Sequence, residues 1–155
     1  MQEVRVYSYD EVYEASLEYF GGDSLAAGVF AGKYALSDKS GNFYEKTPDD
    51  MHKRLAREFS KIENRYPNPM SYDEIYDLLK DFKNIIPQGS PMAAIGNDYQ
   101  IQSTSNCFVI EPPYDSYGGI LKTDQELVQI AKRRGGIGFD LSQIRPKGLS
   151  TGNAA

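Results

Sequence analysis

Four segments carry the same helix-start signal, a Ser or Thr three residues ahead of an acidic side chain: "SYDE" from Ser8, "TPDD" from Thr47, "SYDE" from Ser71 and "TDQE" from Thr123. This pattern constrains the fold more than any other feature. A hydroxyl and a carboxylate at that spacing reciprocally satisfy the orphan N–H groups at a helix start. At Thr47 the acidic partner is Asp50, a shorter variant, and Pro48 suits the first helical turn, where a missing N–H costs nothing. Each start leads into helical periodicity. Val12, Ala15, Ser16, Tyr19 and Phe20 share one stripe, and Met51, Leu55, Phe59 and Ile62 share another. Ile75, Leu78, Leu79 and Phe82 form a third, and Leu127, Ile130 and Ala131 a fourth. "GGD" at Gly21 closes the first helix, and Asp23 or Ser24 can cap a short second one through Phe30. "SDKSGN" from Ser37 reads as a turn, a small hairpin joining "KYAL" to "FYEK". "YPNPMS" from Tyr66 reads as a break between helices. Residues 1–86 are therefore predicted to form an N-terminal helical domain.

The character changes at "IIPQGSPMAAIGNDYQ", from Ile85, where Gly, Pro and small residues replace the helical periodicity. A buried strand is predicted over Cys107 to Glu111, then a loop over Pro112 to Gly119 and a helix over Thr123 to Arg134. A Gly-rich turn and a second extended stretch follow, giving a strand-helix-strand pattern. The domain boundary is placed near Pro87, with 87–155 as the second domain. Such a unit cannot close a sheet by itself and would expose sheet edges. The final run, "RPKGLSTGNAA", is loop-like. The chain is expected to be a piece of something larger: a natural split product, an intein-interrupted piece or an engineered one.

Composition narrows the function classes. The chain is 40% apolar and 25% charged, close to an average globular domain. No apolar run approaches the roughly 20 residues of a membrane span. The start, "MQEVRVYSYDE", is acidic where a secretory leader would be basic. A cytoplasmic protein is expected, and a single cysteine, which cannot form an internal disulfide, fits a reducing compartment. A net charge of −5 argues against a broad nucleic-acid surface. Locally, Lys132, Arg133, Arg134, Arg145 and Lys147 face Asp140 alone, which suits a small anionic ligand. One His52 and one Cys107 cannot build a zinc site of the His/Cys kind, and no metal site is expected.

Within "KRRGGIGFDLSQIRPKG", basic residues complement a helix C-terminus and Gly135 can be the residue just past it. That reading leaves Gly136, Gly138, Arg145 and Lys147 unexplained. The glycines let backbone approach a ligand, and the two cations could hold phosphate oxygens, Arg145 in bidentate fashion. These glycines close a helix and open a strand, the reverse of a dinucleotide-binding fingerprint. "PQGSPM" reads as a turn, or as Ser90 presenting a hydroxyl to a substrate phosphate. "EPPYDSYGG" reads as a turn, or as Asp115 holding a ribose hydroxyl or base edge beyond a strand end. Cys107 alone reads as a small buried hydrophobe. Reactivity would need a lowered pKa, and no adjacent residue provides one. A Cys–His nucleophile would have to use His52, on a polar, charged helix segment.

Taken together, "IIPQGSPM", "STSNCFVI", "DSYGGI", "KRRGGIGFDLSQIRPKG" and "GNAA" resemble the ribonucleotide reductase large (catalytic) subunit in order and spacing. "KYALSDKSGNFYEKTPDDMHKRLA" is similar to that family's N-terminal helical region. The wording looks closest to the adenosylcobalamin-dependent class II type. The resemblance implies an α+β to α/β fold: a helical domain, then the opening strands and helix of a ten-stranded α/β barrel, incomplete in this chain. It implies that Cys107 is the first cysteine of the pair that reduces the ribose 2′ position. Ser90, Ser105, Asn106, Gly135 and Gly136 match substrate-contacting positions, although Asn106 stands where several relatives have Ser. Asp115 and Arg145, with Ser116 and Lys147, match the site where a dNTP effector selects the substrate. The radical cysteine, its partners and the second redox cysteine would lie downstream, and no ATP-cone pattern precedes the helical region. The implied partners are the C-terminal remainder, a second copy of the completed subunit, a thioredoxin-type reductant and, in the alternative class, a radical-generating small subunit. The chain alone is expected to be inactive. A competing expectation is a non-catalytic nucleotide-binding or reductase-docking module.

Overall fold

The structure is a computed structural model and describes residues 5–150. The "GNAA" run at 152–155 lies outside the described residues. The chain divides into two compact units, Met1–Thr104 and Ser105–Ala155. The predicted boundary near Pro87 and this division differ by the segment 87–104.

The first unit is helical. Its elements are α1 (Tyr9–Tyr19), α2 (Ser24–Val29), α3 (Pro48–Glu63), α4 (Tyr72–Leu79) and α5 (Gly89–Ala94). A π-helical turn, Phe30–Tyr34, extends α2, and a 3₁₀ turn, Lys80–Phe82, follows α4. Three of the predicted starts form as read. At α1 the Glu11 N–H donates to Ser8 Oγ at 3.3 Å, and the Ser8 N–H donates to the Glu11 carboxylate at 2.8 Å. At α4 the Glu74 N–H donates to Ser71 Oγ at 3.3 Å and the Ser71 N–H to the Glu74 carboxylate at 2.7 Å. At α3 the Asp50 carboxylate accepts from the N–H groups of Thr47 and Lys46, at 3.1 and 2.9 Å. Loss of such a cap typically costs about 1 kcal/mol. The Ser N–H groups hold the Glu11 and Glu74 carboxyls below their usual range.

Gly21 and Gly22 end α1 with φ of 62° and 96°, a region closed to most side chains. Asp23 caps α2 by accepting from the Ala26 N–H at 2.9 Å. The predicted hairpin is a turn flanked by isolated antiparallel bridges, Ser37 to Phe43 and Tyr7 to Phe43. Asp38 organises it, accepting from the N–H groups of Ser40 and Asn42 at 2.8 and 3.0 Å and from the Tyr44 hydroxyl at 3.0 Å. The Asn42 side chain first, with these other donors, lowers the Asp38 pKa to about 2.

The core joins α1, α3 and α4 through Val12, Met51, Leu55, Ile75 and Leu79, with Phe30 and Met92 from the flanking elements. Two features depart from the sequence reading. His52, read as part of a polar segment, is fully buried, while Lys53 beside it in sequence is exposed. The "PQGSPM" run forms α5 rather than a turn, because Pro91 falls in the first turn, where proline is tolerated.

A buried ion pair ties α5 to α3. Arg54 and Glu45 are 2% and 3% exposed, with Nε and Oε1 2.6 Å apart. Arg54 also donates to the carbonyls of Met92, at 2.8 Å, and Ile95. Glu45 in turn accepts from the Leu36 N–H at 3.0 Å. These bonds cover carbonyls at the end of α5 and hold it in the first unit, which is why the division falls after Thr104 rather than at Pro87.

The second unit holds β1 (Cys107–Val109), α6 (Tyr117–Ala131) and β2 (Gly136–Gly138). The strands pair in parallel, Cys107 with Gly136, Phe108 with Ile137 and Val109 with Gly138. This is the predicted strand-helix-strand order, with β1 shorter than the predicted Cys107 to Glu111. Helices with one small parallel pair make the chain α+β. The predicted helix start at Thr123 is corrected: α6 begins six residues earlier, at Tyr117, and Thr123 is buried in its interior. Ser116 is the cap, its Oγ accepting from the Gly119 N–H at 3.0 Å. Gly119 belongs there for a packing reason, since a Cβ would lie 2.6 Å from the Tyr114 carbonyl oxygen. Among the described residues no helix is long and apolar enough to cross a membrane.

Candidate functional site

The candidate site of the second unit is built on the strand pair. Backbone bonds run past the strand ends, from the Gly136 N–H to the Asn106 carbonyl at 2.6 Å and from the Ile110 N–H to the Gly138 carbonyl at 3.1 Å. Side chains alternate across a strand, so the two faces of the pair differ. Phe108 and Ile137 are half-buried on one face, and α6 packs against β2. The other face carries Cys107, Val109, Gly136 and Gly138, all exposed. Cys107 is therefore not the buried hydrophobe that its apolar context predicted. Its register partner is a glycine, so no side chain stands beside the thiol on β2.

Gly135 is fixed by close approach. A Cβ there would lie 2.5 Å from Ile130 Cγ2 and 2.8 Å from the Phe108 ring. Its predicted role as the left-handed residue past the helix is taken by Arg134, at φ 67°. The Gly135 N–H instead donates to the Ile130 carbonyl at 3.2 Å. A bulkier residue would push α6 from the strands, so Gly135 sets how closely Gly136 follows the helix end.

The structure brings Asp115 and Arg145 together. Arg145 Nε donates to Asp115 Oδ2 at 2.6 Å, one terminal nitrogen reaches the Asp115 carbonyl at 3.3 Å, and the other the Ser150 carbonyl at 2.7 Å. The pair links the entry to α6 with the loop after β2. Ser116 sits beside Asp115 but spends its hydroxyl on the α6 cap. Lys147 is exposed on the same loop as Arg145. On that loop the Ser142 hydroxyl and N–H both donate to Asp140, holding its carboxyl below the usual range.

Ser105 is exposed and Asn106 half-buried, both immediately before β1. Ser90 lies in the first unit, buried in α5. The Asp115–Arg145 pairing was missed in the sequence because the two residues lie 30 positions apart. Opposite charges flanking a predicted helix were the available signal. The Arg54–Glu45 pair had no such signal, since both residues read as ordinary surface charges.

No curated protein sequence matches the chain. Residues 105–155 match the family model described as ribonucleotide reductase, barrel domain. The matched segment begins at Ser105, where the second compact unit begins. The unit that carries Cys107, the glycine face and the Asp115–Arg145 pair is thus the part of the chain that is similar to a ribonucleotide reductase barrel domain.

Proposed function

We propose that this chain is the N-terminal part of a ribonucleotide reductase catalytic subunit and supplies one of two thiols that reduce the ribose 2′ position. The observation that carries the reading is an exposed Cys107, opposite glycine, inside the segment that matches the barrel-domain family. In this reaction the C2′–O bond is replaced by C2′–H, water leaves, and two thiols close to a disulfide as they give up two electrons. The sequence holds one cysteine, so the second thiol belongs to another stretch of polypeptide. A thioredoxin-type reductant would then reopen the disulfide.

Substrate contacts are assigned to Ser90, Ser105 and Asn106 through their side chains, and to Gly135 and Gly136 through backbone. The exposed Gly136 supports this, because nothing beyond its backbone separates the strand from a ligand. Asp115, Ser116, Arg145 and Lys147 are assigned to the dNTP effector. Pairing with Asp115 and Ser150 holds the Arg145 guanidinium in place, so an incoming phosphate must compete for its N–H groups.

Adenosylcobalamin, or a radical-generating small subunit, would supply the radical that starts the reaction. Neither is assigned to residues of this chain, whose single histidine lies buried in the helical core. The radical source is assigned to the completing polypeptide or its partners, in a homodimer of the completed subunit.

The test is complementation. Mixing the chain with a large-subunit remainder should give nucleotide reduction, and Cys107→Ser should abolish it while leaving the fold intact. Unchanged turnover with Cys107→Ser would remove the redox role.

A further inference from the structure

The junction between α4 and α5 runs through a strained turn. Asp81 and Phe82 stand consecutively at φ 56° and 54°, a region that non-glycine residues keep only when their surroundings hold them there. The holding contacts are specific. The Phe82 ring meets the His52 imidazole edge-on at 4.5 Å and stacks on Phe20 at 6.3 Å. The Tyr19 hydroxyl donates to Asp81 at 3.3 Å, and Lys83 Nζ lies 3.0 Å from the same carboxylate. The N–H groups of Lys83 and Ile85 donate to the carbonyls of Lys80 and Leu78, at 3.3 and 2.9 Å.

His52 is the unusual member of this cluster. It is 0% exposed, and neither ring nitrogen has a hydrogen-bond partner. A neutral imidazole tolerates such a place with the loss of hydrogen bonds alone. An imidazolium would carry two donors and a full charge there, a far larger penalty. We infer that the Lys80–Phe82 turn is a proton-operated latch, in which protonation of His52 releases Phe82 and opens the turn while α3 stays folded.

The charged groups around the imidazole explain why the turn yields first. From α3, Asp49 faces it, but Lys53 lies 2.7 Å from that carboxylate and the Tyr76 hydroxyl of α4 donates to it. From the turn, Asp81 faces it, held by Tyr19 of α1 and by Lys83. An imidazolium can draw in Asp81 by letting a strained backbone relax, whereas reaching Asp49 would disturb a regular helix. Burial holds the His52 pKa below 6.5, against the pull of Asp49 and Asp81. A folded-state pKa below the unfolded value means that the closed turn is fully stable above about pH 6.5 and loses stability as pH falls. Ile85 and Pro87, which follow the turn, wall an apolar groove with Phe59, Met70, Ile75 and Leu79, so opening would reshape that groove.

The test is residue-resolved hydrogen exchange on the whole chain, corrected for intrinsic pH dependence, from about pH 7.5 to about pH 5.5. Protection of the Lys83 and Ile85 amides should fall about tenfold or more, with a midpoint matching the His52 ring titration by NMR. Protection of Leu55 in α3 should hold. His52→Leu, or His52→Gln as a second neutral replacement, should flatten the Lys83 and Ile85 response. The latch is overturned if those amides stay protected while His52 titrates, if they fall together with Leu55, or if either variant retains the full response. Should neither variant fold, the wild-type comparison of Lys83, Ile85 and Leu55 decides alone.

Discussion

The two units spend their apolar residues in opposite ways. Among the described residues, every buried hydrophobic side chain of the core lies between Val12 and Ala93, in the helical unit. The strand-helix-strand unit leaves Val109 91%, Tyr117 78% and Leu121 65% exposed. Burial contributes roughly 25 cal/mol per Å² of apolar surface, so the first unit carries most of the stabilisation that this chain has. The second unit instead carries the candidate site: the exposed thiol, the glycine face and the Asp115–Arg145 pair. A division between stability in one region and the candidate site in another can be tested by substitutions that strike one unit at a time.

The largest effect is expected from Arg54→Ala. It leaves Glu45 charged and 3% exposed without its partner, and uncovers the Met92 and Ile95 carbonyls. Removing one member of a buried pair costs about 3–5 kcal/mol. Denaturant unfolding followed by hydrogen exchange should show protection lost across α3 and α5. Bonds within the second unit, such as Ile110 to Gly138, should keep theirs. Equal loss in both units would mean that they unfold as one, and the contrast drawn above would fail.

Met51→Ala should follow, at about 2–5 kcal/mol, because Met51 is 0% exposed and its removal leaves a cavity. Its midpoint shift should again be confined to the helical unit. A shift below about 1 kcal/mol would show a core that collapses readily around the deletion.

Gly135→Ala strikes the other unit. Its new methyl would sit 2.5 Å from Ile130 and 2.8 Å from the Phe108 ring. Overpacking of this kind costs about 1–3 kcal/mol. Chemical shifts of Phe108, Ile130 and Gly136 should move, and those of Met51 and Leu55 should not. A silent Gly135→Ala would show that α6 is free to step back from the strands.

These expectations also mark how far the sequence was legible. Ser8, Thr47 and Ser71 could be read as helix starts because a capping box is local, complete within four residues. Thr123 misled for the same reason: "TDQE" has the right letters, but Thr123 is buried inside α6 and Ser116 holds the cap. Gly118 and Gly119 hid the true start, since glycine normally weakens a helix. The Arg54–Glu45 pair and the burial of His52 were illegible, because both depend on elements meeting in space. Cys107 shows the opposite failure. Its apolar context predicted burial, yet a two-stranded sheet with a helix against one face leaves the other face open. Candidate residues were legible through motif resemblance; their exposure was not.

The smallest stability effect is expected at the site itself. Asp115 and Arg145 are about one-third exposed, with side-chain values of 34% and 32%. Solvent-accessible pairs contribute roughly 0–1 kcal/mol, so Asp115→Asn should barely move the unfolding midpoint. Asparagine keeps a side-chain oxygen that can accept from Arg145 Nε, but it removes the charge that anchors the guanidinium. If the pair serves a dNTP, Asp115→Asn and Arg145→Ala should both change nucleotide affinity in calorimetry on the completed subunit. Neither should shift stability by more than about 1 kcal/mol. A midpoint shift as large as that of Arg54→Ala would make Asp115–Arg145 a structural clamp. The second unit would then share the first unit's strategy, stability held by paired charge, and its reactive role would have to rest on Cys107 and the glycine face alone.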